Sequence, residues 1–367
     1  MDSKAGTRKN FRAIKRRIVA LAEKAFNFKS AKTAVGVIRY SFHDVVAVID
    51  SEKAGLKVRD VIEGLDRDIP IVPSLDEAMR YEPDCLLIGV APRGGALPPE
   101  WREIIKAALE RGLHVYNGLH SFLTDDRELR ALARRHHAII WDVRRPEPNL
   151  PVALGLSHST KSYIVETVGS DCSVGKMTAA LEVMQALRRK GLKAEFVATG
   201  QTGILISGWG QPVDAIVGDF MAGAVEHEVL KLDGQVDVIL IEGQGSLLHP
   251  GYSSVTLALL HGGAPDALIL CHQSTRHEIA GGYNIPIPPL SRLREIYETA
   301  ASWIHPTQTL AVSLNTYGLS DDEARADIAR VAQETGLPTT DPVRFDPDVI
   351  ADAIVAGHER HTANDPR

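Results

Sequence analysis

The sequence predicts an α/β protein of two domains: a Rossmann-like N-terminal parallel sheet, then a three-layer α/β/α domain of the P-loop NTPase-like type. Three observations carry this reading. Short apolar runs alternate with amphipathic stretches, the pattern of βαβ units and parallel sheets. The alternation breaks at RRPEPNLPVALG, where Pro146, Pro148 and Pro151 suit a linker. It restarts with a strand, a glycine-bearing turn and Gly-Lys, VGSDCSVGKMT at 168–178, the context of a phosphate loop.

Three segments follow from this: a basic helical extension at 1–29, a Rossmann-like domain at 30–150 and a P-loop domain at 151–355. In the first, Phe11, Ile14, Ile18, Leu21 and Ala25 recur at helical spacing within a strongly basic stretch. With no Trp and no long apolar stripe, it reads as a helix packed on the body or on a partner subunit. In the second, TAVGVIRY, VVAVID, CLLIGV, LHVYNG and AIIWDVR read as buried strands. PPEWREIIKAALERG between them reads as a helix, opened by Pro and closed by Gly. In the third, KSYIVETVG, AEFVATG, DVILIEG, DALILCH and TLAVSLN read as strands. KMTAALEVMQALRRKG and ADIARVAQETG read as helices closed by glycine.

The bulk numbers exclude several classes. The 367 residues suffice for two ordinary domains. A hydrophobic content of 44% with 24% charged residues is that of a soluble globular protein. A formal net charge of −6 argues against nucleic acid as a partner. Cys85, Cys172 and Cys271 form no CxxC pair, which fits the reducing cytoplasm and gives no disulfide framework. No apolar run approaches the roughly 18–20 residues of a membrane span. Two α/β domains with an extra helix suit a homodimer acting on small molecules.

Gly169, Ser170, Asp171, Cys172, Ser173, Val174, Gly175 and Lys176 form the phosphate loop, with Met177 and Thr178 opening the next helix. Such a turn lets successive backbone N–H groups converge on an anion, the helix N-terminus adds positive potential, and Lys176 supplies a point charge. The spacing between Gly169 and Gly175 is one residue longer than GxxxxGK. It resembles the loop of dethiobiotin synthetase, GT-D-T-x-x-GKT, with Asp171 matching that Asp. Met177 stands where the Ser or Thr that ligates Mg²⁺ is found, and a thioether cannot replace a hard oxygen ligand. Thr178 lies one helical step on, about 100° around the axis. Phosphate binding is therefore expected without Mg²⁺–nucleotide chemistry. The competing reading is an ATP- and Mg²⁺-dependent ligase, or a nucleotide sensor without catalysis.

Other motifs stand at strand ends, where ligands of open α/β sheets bind. DVILIEGQGSLLHP offers Glu242, Gln244, Gly245, Ser246 and His249, and its VEGAGG-like stretch resembles dethiobiotin-synthetase-like enzymes. FVATGQTG offers Gln201, Thr202 and Gly203 for a carboxylate or carbonyl. Asp214, Asp219 and Glu226 lie in or beside a helical stretch, the last two seven apart on one face. After the strand LILCH, Arg276 is the best fork for a substrate carboxylate, with Arg93 in GVAPRGGALPPEW second. Cys271, His272 and His277 make a poor zinc set, because adjacent Cys and His chelate one metal badly. No metal site is expected.

Together, GSDCSVGKMT, ATGQTG, DFMAGAVE and IEGQGSLLHP, with AKTAVGVIRY, LLIGVAPRGGALPPEWR and YNGLHSFLTDD, resemble the family that contains D-glutamate N-acetyltransferase. The resemblance runs over about residues 30 to 340 and leaves the basic extension unexplained. It implies acetyl transfer from acetyl-CoA to the amine of D-glutamate. A thioester is already activated, so the phosphates of CoA need only a handle. For that reaction the candidate bases are Asp219 and Glu242, with His249 in reserve. Backbone N–H groups of Gly243–Ser246, or Gln201, are the candidate oxyanion donors.

Overall fold

A computed structural model of the chain describes residues 14–90 and 97–364. It divides into two compact units. The first runs to Pro146 and takes in Gly200–Ala215; the second comprises Glu147–Thr199 and the chain from Ile216 onward.

The first unit is built on β1 (Arg17–Leu21), α1 (Lys32–Tyr40), β2 (Asp44–Ile49), β3 (Ile71–Val72), β4 (Cys85–Ile88), α2 (Pro99–Glu110), β5 (His114–Asn117), α3 (Arg127–Arg135) and β6 (Ile140–Asp142). Its six strands lie in the order β3-β2-β1-β4-β5-β6, every pair parallel. Two sequence expectations are corrected here. Within the stretch read as a helical extension, Arg17–Leu21 is a central strand, buried from Ile18 to Leu21. A strand covered on both faces needs a continuous apolar run, and IVAL supplies one. The basic residues beside it are engaged locally: Lys15 pairs with Asp44, Arg16 pairs with Asp84, and the Arg17 guanidinium donates to Glu82 O and Tyr81 O. TAVGVIRY, read as a strand, lies instead in helix α1, whose residues Thr33–Ile38 are all buried. The rest of the basic tip, residues 1–13, lies outside the described residues.

The helix Gln201–Ser207, placed by sequence within the 151–355 segment, is grouped by its contacts with the first compact unit. Thr202 Oγ1 bonds Thr33 Oγ1 at 3.1 Å. Arg144 is buried and donates to Gly118 O at 2.8 Å, to Gln201 Oε1 at 2.7 Å and to Asp214.

The second unit contains β7 (Tyr163–Gly169), α4 (Lys176–Arg189), β8 (Ala194–Val197), α5 (Gly218–Leu230), β9 (Val238–Ile241), α6 (Ser253–Gly263), β10 (Ala267–Gln273), α7 (Leu290–Ala301), β11 (Gln308–Asn315), α8 (Asp321–Thr335), β12 (Thr339–Thr340) and α9 (Asp348–Asn364). The order is β12-β11-β10-β7-β9-β8, again all parallel. One apolar cluster joins Val168, Leu268, Leu270 and Val312 of the sheet to Leu290, Leu293 and Tyr297 of α7. Among the described residues no helix is long and apolar enough to cross a membrane.

Candidate functional site

In the second unit β7 lies between β10 and β9, so the loop leaving Gly169 is flanked by the carboxyl ends of both neighbours. Ligand crevices of open α/β sheets form at such ends. Ser173 and Gly175 take left-handed backbone, φ 59° and 114°, and Gly175 stands at the cap of α4. The turn therefore curls back over the N-terminus of a 14-residue helix.

Each end of the loop is anchored. Ser170 N donates to Cys271 O at 3.0 Å, and Ser170 Oγ bonds His272 Nδ1 at 2.8 Å. Burial lowers His272 to about 4, so the ring is neutral near pH 7. Ser246 Oγ donates to Ser170 O at 3.1 Å, and Tyr297 Oη donates to Gly169 O at 2.7 Å while accepting Leu247 N at 3.1 Å. Burial pushes that phenol up to about 12, so it stays a donor.

Lys176 is buried, and its Nζ donates to Asp171 O at 2.8 Å and Gly245 O at 2.7 Å. Burial holds its ammonium below the ordinary lysine range, opposed by Cys172, Cys271, Asp171 and Glu242. The lysine thus spans the loop and the Gly243–Ser246 turn. Gly243 is required at that crossing, since a Cβ there would fall 1.6 Å from Thr167 O. Gly243 N donates to Thr167 Oγ1 at 3.0 Å, so it is already engaged and unavailable to an oxyanion.

Among the sequence candidates, Glu242 is buried, and its Oε2 accepts Thr199 N at 3.0 Å. Gln244 Nε2 reaches Thr199 Oγ1 at 3.2 Å. Asp219 is exposed in the first turn of α5, and no hydrogen bond or ion pair among the described residues joins it to the loop. Glu226 is buried and receives Leu154 N and Leu156 N, which makes it a brace for the linker. Gln201, Thr202 and Gly203 are engaged within the first unit by Arg144, Thr33 and Ser207. Arg93 lies outside the described residues. Arg276 is committed to Asp171 at 2.7 Å, Cys172 O at 3.1 Å and Gln273 Oε1 at 2.8 Å.

His249 is buried between Tyr252 and Tyr283, with ring centroids 4.6 and 5.1 Å away. Its Nδ1 accepts Gly251 N at 3.1 Å. With Nδ1 engaged by Gly251 N, the ring nitrogen left to His249 as the reserve candidate is Nε2. Asp171, Cys172 and His249 offer three ligand atoms within 4.8 Å of one another. The donor set fits a cation poorly. Asp171 already accepts Cys172 N, Arg276 and Ala280 N, Nδ1 of His249 is taken, and Arg276 and Lys176 add positive charge.

Sequence reasoning missed Tyr297, Thr199 and Thr167, which hold the turns of the site from remote elements. Thr199 stands inside FVATGQTG and Thr167 two residues before Gly169, so the quoted motifs contained both without singling them out; Tyr297 lies in no such motif.

Family models match the two halves: the Rossmann-like N-terminal domain of DUF1611 over residues 51–146, and its P-loop domain over 151–351. The chain belongs to the DUF1611 family. It is 42% identical over 285 residues to a D-glutamate N-acetyltransferase of Tritonibacter scottomollicae, covering 77% of this chain and 84% of that protein. It is 37% identical over 279 residues to a D-glutamate N-acetyltransferase of a Pseudoalteromonas species, covering 76% and 83%. The crystal structure of a DUF1611 protein from Anabaena variabilis superposes with a TM-score of 0.89 at 40% identity, over 93% of this chain and 99% of that one. This DUF1611 chain is accordingly an enzyme, an N-acetyltransferase.

Proposed function

We propose that the chain moves the acetyl group of acetyl-CoA to the amine of D-glutamate or a closely related amino acid, with a CoA phosphate held in the loop Ser170–Lys176. The observation that carries this is the loop itself. Its lysine is buried and donates to one loop carbonyl and one turn carbonyl, while Met177 withholds the oxygen that Mg²⁺ chemistry needs. Such a loop suits a phosphate used as a handle. The activity of the two named relatives supports the reaction class and the amino acid.

In the reaction a C–N bond forms and the thioester C–S bond breaks. The nitrogen loses two protons on going from ammonium to amide: one ends on the departing thiolate, giving the CoA thiol, and one passes through the base to solvent. Glu242 is the better placed of the two candidate bases, because it is buried beside Lys176 whereas Asp219 is exposed. No metal and no ATP take part.

Thiol release from acetyl-CoA, followed with D- and then L-glutamate in EDTA without ATP, tests the reaction. Release with D-glutamate alone is expected; silence with both isomers and with a panel of related amino acids would overturn the reading. Lys176→Ala tests the handle. It should raise KM for acetyl-CoA by about tenfold or more, the loss of a charge-assisted bond to phosphate. An unchanged KM would remove the handle while leaving the reaction.

A further inference from the structure

Asp171 is fully buried and accepts three bonds: Cys172 N at 2.6 Å, Arg276 Nη1 at 2.7 Å and Ala280 N at 2.8 Å. Two of these donors come from one segment, the stretch between β10 and α7. That stretch folds back on itself as a narrow hairpin, with Ile279 N donating to Ile285 O at 2.9 Å and Ile287 N to His277 O at 2.8 Å. Its tip is exposed and left-handed at Gly281, Gly282 and Asn284, φ 110°, 81° and 53°. The hairpin touches the loop region at two points. Arg276 and Ala280 bond the Asp171 carboxylate, and the Tyr283 ring meets His249 edge-on at 5.1 Å.

Arg276 is a permanent cation on the rim of the phosphate turn, since its Nη1 also reaches Cys172 O at 3.1 Å. Its counter-charge is Asp171. Because Arg276 already reaches the loop carbonyl of Cys172, a phosphate seated on that loop would offer it a second anion, one whose paired oxygens match the guanidinium fork.

We propose that Arg276 is the second cation of the phosphate site and that Asp171 is its resting counter-ion. Arrival of the ligand phosphate draws the guanidinium from Asp171 toward the loop, and the hairpin carrying it shifts in step. This rests on the loop holding a CoA phosphate. It moves Arg276 from the amino-acid side of the reaction to the CoA side. It also makes Asp171 a competitor of the ligand, because part of the binding energy goes into separating the buried pair.

Isothermal titration of the full chain with inorganic pyrophosphate and with 3′,5′-ADP, without metal, tests it on wild type, Arg276→Gln and Asp171→Asn. Arg276→Gln should weaken binding about tenfold or more and raise KM for acetyl-CoA while leaving KM for the amino acid unchanged. Asp171→Asn keeps the shape of the side chain, removes the competing charge, and should bind several-fold more tightly. A rise in KM confined to the amino acid would return Arg276 to the substrate carboxylate and overturn the proposal. Weaker binding by a folded Asp171→Asn would also overturn it, since the carboxylate would then only shape the loop. A wild type that binds neither probe refutes the phosphate handle itself. Wild-type binding left intact in Arg276→Gln refutes only the present proposal. Hydrogen exchange over residues 274–289 should change on adding pyrophosphate to wild type and stay constant in Arg276→Gln.

Discussion

Glu166 gives the sharpest test of the electrostatics beneath the loop. It lies in the middle of β7, its side chain is fully buried, and neither carboxyl oxygen has a hydrogen-bond partner in the structure. Its neighbours are apolar or small: a Cβ at Gly263 would meet Ile241 Cδ1 at 2.5 Å and Glu166 Oε2 at 3.8 Å. Burial raises the carboxyl well above its ordinary 4.5, and only the charge of Lys176 opposes the shift. The unfolded chain releases this proton near pH 4.5 while the folded chain keeps it. Above that pH the unfolded state binds fewer protons, so this group's share of the stability is full below the unfolded value. It then falls by about 1.4 kcal/mol per pH unit until the folded group ionises. Glu166→Leu removes both the linkage and the unpaired oxygens, each of which costs about 1–3 kcal/mol when buried. The variant should already be more stable than wild type near pH 5, and its lead should widen toward pH 7 at roughly that slope. Glu166→Gln should lose the slope while keeping the buried polar atoms. Urea titrations followed by circular dichroism in steps from about pH 5 to 7 measure both. Parallel stability curves for wild type and the two variants would refute the reasoning, because Glu166 would then be charged in the fold.

The acid side should be governed by histidines with the opposite sign. His272 and His43 are both lowered from 6.5 to about 4, first by burial, so each contributes stability above pH 6.5 that is lost as pH falls toward 4. For a shift of that size the loss is about 3 kcal/mol per residue, and His272→Asn should flatten the curve in that window as followed by thermal melting. Gly243→Ala should be far more damaging than Gly191→Ala. The first Cβ would meet Thr167 O at 1.6 Å, whereas the second, at φ 90°, meets nothing within 4 Å. Melting temperatures and acetyl transfer should both drop for Gly243→Ala, while Gly191→Ala, on the exposed end of α4, should keep its activity.

Most strands were legible because parallel strands buried on both faces need continuous apolar runs, and VVAVID, CLLIGV and DVILIEG have them. The errors at the N-terminus are a single error seen twice. Residues 17–21 and 32–40 were read as helix then strand, where the structure has strand then helix. A short apolar run looks alike in either state, so alternation slipped by one element until VVAVID restored it. The phosphate loop was legible because its residues are consecutive. Its braces were not: Tyr297 reaches Gly169 across 128 positions and His272 reaches Ser170 across 102. Arg276 drew notice for its fork, yet its partner Asp171 lies 105 residues earlier and only folding reveals that the two are paired.

The proposed handle and a nucleotide engine part company at Met177. It occupies the first turn of α4, directly after Lys176, where a hydroxyl would face the same phosphate. The negative groups around Lys176 are already assigned: Asp171 to Arg276 and backbone donors, Glu242 to Thr199. Each of these carboxylates already accepts a donor, and the hard oxygen that a nucleotide-bound cation takes from the first helical turn is the one Met177 lacks. Met177→Thr supplies the missing oxygen without touching the N–H cradle. Acetyl transfer in EDTA should be unchanged in this variant, and binding of ADP, weak with or without Mg²⁺ in wild type, should become Mg²⁺-dependent. Wild-type ADP binding that Mg²⁺ strengthens would place the cation on other ligands and revive the ligase chemistry that Met177 argues against. Loss of acetyl transfer in Met177→Thr would mean that the thioether packs against the CoA arm rather than merely standing in for a hydroxyl.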